Sequence, residues 1–307
     1  MSGKKYIPCV CIPINDPSPN GNYYMTNMLS GSRILLILFT IFMVSCKENE
    51  SIEPIGPSSK RYLHLSHTRT DSNPLMDSIA ENLDFDQFDM LLLGGDLAHL
   101  TSADDTTMRR VDSIFDVGNA NTLWALGNHD YTDLGKVEQY TKRPPYYSTH
   151  KDGITFVVLD TQDSLSNMIG EQRAFLMQIL DTIRESSHLM LLHHKLVWMY
   201  DDPQLEPQIP SVSNARLGDC FYCINPNNFR AEIYPQLVKV RSRGVEVICV
   251  GGDIGFRASE FEHLTADGIY LLASCIDSGE VGNKALLFYH RPDDRSLSWE
   301  FRLLSDL

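Results

Sequence analysis

Four predicted strands of this 307-residue chain end in polar side chains: Ser66-His67-Thr68-Arg69, Gly94-Gly95-Asp96, Gly127-Asn128-His129-Asp130 and His193-His194. A fifth end, Gly251-Gly252-Asp253, joins them. Carboxylate, amide oxygen and imidazole together suit a borderline divalent metal such as Zn, Mn or Fe. In α/β sheets ligands collect at the carboxyl ends of strands, so these five ends are expected to converge on one crevice.

The elements that must position them read as alternating units. Apolar runs of buried-strand length occupy residues 62–66, 90–93, 122–126, 154–159, 189–192 and 245–250. Helical patterns fall between them at 74–83, with Ser72 and Asn73 as caps, and at 105–115, 171–186 and 230–243. After Gly268 three strand-like runs, 269–273, 285–289 and 297–303, are separated by Asp277-Ser278-Gly279 and Pro292-Asp293-Asp294, which suits antiparallel pairing. The fold class expected is α/β, two packed mixed sheets flanked by helices. Residues 195–228, rich in Pro, Asp and Asn, follow the His193 strand as a long loop. Loops of this length serve function or are disordered, and this one is read as substrate-side, with a decorative insertion as the alternative.

In this order the blocks resemble the calcineurin-like metallophosphoesterase superfamily, whose motifs run D-x-H, G-D-x-x-D/H, G-N-H-D/E, H and G-H-x-H. Here they correspond to the His67 and Arg69 segment, Gly95-Asp96-Leu97-Ala98-His99, Gly127-Asn128-His129-Asp130, Leu192-His193-His194 and Gly252-Asp253-Ile254-Gly255. The resemblance spans residues 61–303 and implies a calcineurin-like phosphoesterase fold over residues 61–307. It also implies metal-dependent hydrolysis of a phosphomonoester or phosphodiester. Departures from the family pattern cluster on one metal. His67 and Arg69 stand where the family has aspartate and histidine, and Asp253 and Gly255 stand where it has two histidines.

The resemblance therefore implies a single ion held by Asp96, Asn128, His193 and Asp253. Arg69 would supply charge and a bidentate fork for phosphate at the vacated position. His129 would stabilise the transition state or protonate the leaving oxygen, with His67 beside it. The competing readings are an Arg69 ion pair with Asp71 or Asp96, a polar strand-end role for His67, and turn roles for Asp96 and Asn128. Asp253 serves equally as a ligand or as an acceptor for a backbone group or arginine. His194 is expected to support its neighbour or face solvent, and His99 to support the site or stand aside. A remodelled two-metal site would recruit His67 and His99. Trp198 and Tyr200 either stack on substrate or pack the loop base. The functional alternative is a catalytically inactive binding module on the cell surface.

Composition sets the outer limits. Apolar residues at 43% and charged residues at 21% are ordinary globular values, which excludes a multi-span membrane protein. A net charge of −14 with no basic stripe excludes a nucleic-acid groove, while a metal ion can reverse the local sign for a small phosphorylated substrate. Residues 34–44 are apolar, preceded by Arg33 and followed by Ser45-Cys46. That order is a signal segment, and Met43-Val44-Ser45-Cys46 resembles a bacterial lipobox. Residues 1–46 are read as a doubtful N-terminal extension plus signal and 47–60 as a flexible tether. The protein is then exported and anchored to a bacterial membrane through lipidated Cys46, at the outer membrane or cell surface. An uncleaved single-pass anchor is the alternative.

The seven cysteines do not make a disulfide framework. Cys249 and Cys275 sit in apolar runs and are expected to be buried. Cys220 and Cys223 form a lone Cys-x-x-Cys, read either as a local disulfide or as two free thiols. Oligomeric state leaves no mark on the sequence.

Overall fold

The computed structural model describes residues 59–255 and 257–307. The apolar segment, Cys46 and most of the tether lie outside the described residues.

Strands are β1 (Lys60–Leu65), β2 (Met90–Leu93), β3 (Thr122–Trp124), β4 (Tyr147–Lys151), β5 (Ile154–Val158) and β6 (His188–His193). They continue as β7 (Glu246–Gly251), β8 (Glu260–Leu264), β9 (Ile269–Ser274), β10 (Lys284–Arg291) and β11 (Ser296–Leu303). Helices are α1 (Ser78–Asn82), α2 (Asp105–Phe115), α3 (Leu134–Thr141), α4 (Gly170–Thr182), α5 (Ile209–Val212) and α6 (Tyr234–Ser242). One sheet has the order β11-β10-β1-β2-β3 and the other β4-β5-β6-β7-β9-β8. Both are mixed: β1, β2 and β3 are parallel neighbours, as are β5, β6, β7 and β9, and the remaining pairs are antiparallel. The fold is therefore the α/β arrangement of two mixed sheets flanked by helices that the sequence leads one to expect.

Period-two alternation assigns the layers. Met90 and Leu92 of β2 meet Met190 and Leu192 of β6 and Ile248 and Val250 of β7 in a core between the sheets. Leu91 and Leu93 face the other way, onto Met108, Val111 and Phe115 of α2. Leu189, Leu191, Val247 and Cys249 likewise turn onto Leu176 and Leu180 of α4 and Leu237 and Val240 of α6. Both faces of each central strand are covered, and each buried Leu or Ile contributes about 2 kcal/mol. Helix α2 starts where Asp104 accepts from the N–H groups of Thr106 and Thr107, both at 2.9 Å, and stops at Asp116, which takes a left-handed φ of 46°.

Several expectations are corrected. The first helix begins at Ser78 behind an Asp77 cap, because residues 69 and 76 pair as an antiparallel bridge and Ser72 and Asn73 belong to that turn. Strand β9 does not pair with the two that follow. It lies parallel to β7, and the chain then crosses to the other sheet, where β10 pairs with β1 and β11. Strands β4 and β8 and helix α3 have no counterpart in the sequence reading. Both strands are sheet edges in which few side chains are buried, so no apolar run announces them. Among the described residues no helix is long and apolar enough to cross a membrane.

Candidate metal centre

The two sheets bring their strand ends together through glycine. A Cβ on Gly252, after β7, would lie 2.0 Å from the carbonyl oxygen of Gly94, after β2, so only glycine allows this approach. Ser66 ties the seam by donating to the Gly252 carbonyl at 2.9 Å. Asp96 and Asp253, on the loops that follow, are thereby drawn toward one centre from different sheets.

Asp96 sits in an unusual backbone state, φ 57°, directly after Gly95 at 96°. A non-glycine residue in this region is held there by its neighbours. Here Asp130, fully buried, accepts the Asp96 N–H at 2.7 Å, the Leu97 N–H at 3.1 Å, the Gly127 N–H at 2.8 Å and the Thr101 hydroxyl. The Asp96 carboxylate in turn accepts the His129 N–H at 3.0 Å. Any side chain on Gly127 would collide with that carboxylate.

Around the two carboxylates stand imidazoles. His67 Nε2 lies 3.6 Å from Asp96 Oδ2 and 3.6 Å from Asp253 Oδ1. His194 Nε2 lies 3.7 Å from Asp96 Oδ1 and 3.9 Å from Asp253 Oδ1. The His67 and His194 rings stack, with centroids 5.4 Å apart and planes 8° from parallel. One ligand atom each from His67, His194 and Asp253 lies within 4.8 Å of the others. His129 Nε2 is 3.9 Å from Asp96 Oδ2, and Arg69 Nε is 3.6 Å from the same oxygen. Burial pushes the Asp96 carboxyl up, but the His194, His67 and His129 imidazoles outweigh it and hold it at about 2. Asp130 goes the other way, raised by burial and by the charge of Asp96.

These residues fit a cation. His67 Nε2, His194 Nε2 and Asp253 Oδ2 are buried without a hydrogen-bond partner, although buried polar atoms are normally paired. His194 Nδ1 donates to the Gly94 carbonyl at 2.7 Å, which leaves its Nε2 lone pair directed at the carboxylates. The imidazole-to-carboxylate separations of 3.6–3.9 Å, and the 4.8 Å that bounds the His67, His194 and Asp253 atoms, are wider than the roughly 3.3–3.5 Å edges of a tetrahedral zinc site, so the ligand atoms would have to draw together around an ion.

The sequence-derived candidates divide accordingly. His67, Arg69, Asp96, His129 and Asp253 are brought together, and Asn128 follows half-buried in the His129 loop. His193 is not among the converging atoms: its Nδ1 donates to the Lys195 carbonyl at 2.7 Å, its ring centroid lies 4.7 Å from that of Trp198, and its Nε2 is buried without a partner. His194, expected to support its neighbour or meet solvent, is fully buried and is the imidazole facing the carboxylates. Alternation on β6 gives the reason, since Met190 and Leu192 face the other sheet and position 194 continues that face. Trp198 packs the loop base rather than lining the centre. His99 takes no part in the converging atoms, but its carbonyl accepts from His129 Nδ1. Asp130 is the residue the sequence reading passed over. The G-N-H-D tetrapeptide contains it, but nothing local shows where its carboxylate points.

Residues 64–211 match the sequence model of the calcineurin-like phosphoesterases. The matched span includes every residue of the centre except Asp253, which the second sheet returns to it. No curated protein matches the chain. Among solved structures the chain is similar to a dimetal phosphatase from Danio rerio, with 11% identity, a TM-score of 0.46, and coverage of 80% of this chain and 96% of that one. It is also similar to a 5'-nucleotidase precursor from Thermus thermophilus, with 14% identity, a TM-score of 0.40, and coverage of 80% of this chain and 54% of that one. A third is a phosphopantetheinyl hydrolase from Mycobacterium tuberculosis, with 12% identity, a TM-score of 0.40, and coverage of 71% of this chain and 90% of that one. The family match covers 148 of the 307 residues, just under half of the chain, and lies within the two-sheet α/β fold.

Proposed function

We propose that this domain hydrolyses a small phosphomonoester or phosphodiester at a reduced centre that holds one divalent metal. The observation that carries this reading is the convergence of unpartnered His67 Nε2, His194 Nε2 and Asp253 Oδ2 beside Asp96. His67, His194, Asp253 and Asp96 would hold the ion, with Asn128 beside His129 in the adjoining loop; Mn, Zn or Fe suits this donor set. When bound, such a cation supplies Lewis-acid polarisation of the phosphoryl group and acidifies water.

The protein's own side chains supply the rest. Arg69, one quarter exposed and beside Asp96, presents a guanidinium to the phosphate where the family places ligands to another ion. Gly255 sits close against Cys275, whose Sγ a Cβ there would meet at 3.0 Å, with His67 Nδ1 at 3.7 Å. His129 is also partly exposed, and the His99 carbonyl fixes its Nδ1 as the protonated nitrogen. Its Nε2 lies 3.9 Å from Asp96 Oδ2, and in the imidazolium form, protonated on both nitrogens, it would stabilise charge or pass the Nε2 proton to the leaving oxygen and remain as neutral imidazole.

Export is part of the same reading, with Cys46 as the lipidated anchor. The Cys220–Cys223 disulfide supports it, because such bonds persist in oxidising compartments. Fractionation of cells and mass analysis of the Cys46 peptide test it.

Hydrolysis is tested by dialysing the purified protein against Mn, Zn or Fe, measuring bound metal, and assaying generic mono- and diesters. About one equivalent of metal with turnover supports the proposal. Metal-free protein without turnover would leave the inactive binding module, the reading that the altered family positions at His67, Arg69 and Gly255 favour.

A further inference from the structure

The Cys-x-x-Cys segment packs against the chain segments that flank this centre. The Cys220–Cys223 disulfide closes a short loop whose base pairs residues 217 and 224, and Gly218 N–H donates to the Ile224 carbonyl at 3.1 Å. Asn225, buried, pins the loop from below. Its amide donates to the carbonyls of Gly218 at 3.3 Å and Cys220 at 2.8 Å, and its oxygen accepts from Lys195 Nζ and from the Ser166 hydroxyl, both at 3.1 Å. Lys195 is fully buried and immediately follows His194.

At the tip of this clamped loop stand two aromatic residues, Phe221 at 43% and Tyr222 at 55% exposure. Phe221 meets the ring of Tyr131 at 5.8 Å, two residues beyond His129, and Lys195 Nζ lies 5.8 Å from the Phe221 ring centre. The tip thus touches both chain segments that deliver the imidazoles His129 and His194. Adjacent exposed aromatic side chains lose hydrophobic stabilisation, and here a covalent bond and a buried amide network hold them out in water. Pre-ordering of this kind lowers the entropy lost when a flat ligand stacks on the rings.

We propose that Phe221 and Tyr222 form a stacking platform for a planar, unsaturated organic group of the phosphoester, while its phosphate lies at the Asp96 centre. The preferred substrates are then aryl-type or base-bearing phosphoesters rather than small aliphatic ones. This rests on the hydrolytic reading above.

The test compares naphthyl phosphate with glycerol phosphate on the metal-loaded full chain and on Phe221→Ala and Tyr222→Ala. Both side chains are exposed, so both variants should fold, and a thermal melt checks this. The ratio of kcat/KM for naphthyl over glycerol phosphate should fall about tenfold in each variant, the scale of one lost stacking contact. A Cys220→Ser, Cys223→Ser double variant should lower the same ratio, by loosening the tip. An unchanged ratio, whether both rates fall together or neither moves, overturns the platform. If the wild type hydrolyses neither ester, the hydrolytic reading fails, and binding of naphthyl phosphonate by calorimetry decides the platform alone. Weaker binding by the alanine variants then supports it, and equal binding overturns it.

Discussion

Nε2 of His194 stands 3.7 Å from Oδ1 of Asp96, across the seam between the two sheets, whereas His193, its chain neighbour, lies against Trp198. Substitution should separate the pair. His194→Gln is expected to lower metal content below half an equivalent and reduce turnover by about 100-fold, the scale typical of disturbed metal shells. His193→Gln should keep its metal and instead lose about 1–3 kcal/mol of stability from a disturbed buried contact. Metal analysis and denaturant melts of both variants check this; metal loss confined to the His193 variant would reverse the assignment.

Arg69 shares the Asp96 carboxylate with the imidazoles through its Nε at 3.6 Å. Arg69→Ala should raise KM for a phosphomonoester by about tenfold or more, as expected for a lost charge-assisted contact, with bound metal unchanged. Steady-state kinetics alongside metal analysis read both quantities. Release of the metal on this change would show that the guanidinium organises the ligands instead of the phosphate.

Asp130 touches none of the reacting positions and yet gathers three backbone N–H groups and the Thr101 hydroxyl around the Asp96 turn. Removing it leaves those buried donors without an acceptor. Asp130→Ala should cost at least about 3 kcal/mol and lower metal affinity as the Asp96 turn relaxes. A variant as stable as the parent in urea would contradict this role.

Asp104 gives a pH prediction remote from the centre. The Thr107 N–H, with the Thr107 hydroxyl and the Thr106 N–H, holds this carboxyl below its ordinary value. A depressed folded pKa means that the stabilisation is complete above the unfolded value and is lost as pH falls through the folded one. Asp104→Ala should therefore cost about 0.5–1 kcal/mol near neutral pH, a modest cap effect at an exposed site. The gap between variant and parent should narrow as pH is lowered from about 6 toward about 3. Urea titrations across that range measure it, and a gap that widened on acidification would refute the sign.

Much of the centre is legible in the sequence. Side chains of metal-ligating type at successive strand ends are local facts, and so is the apolar periodicity that separates strand from helix, as in α2, which spans the residues 105–115 expected of it. The proposed export and Cys46 anchor rest on the same local kind of pattern, in residues outside the described ones.

What the sequence could not decide is non-local. Residues 189–192 are apolar throughout, because β6 is covered on both faces, so nothing in the chain marks which face looks across the sheets or whether His193 or His194 enters the crevice. The placement of Asp253 beside Asp96 depends on a glycine-to-glycine approach of residues 94 and 252, far apart in sequence, and the crossover from β9 to β10 depends on which sheet had an edge to fill. Donor identity and element order were therefore written in the sequence, while the choice of imidazole, the support from Asp130 and the nearness of the clamped aromatic loop came from packing two sheets face to face.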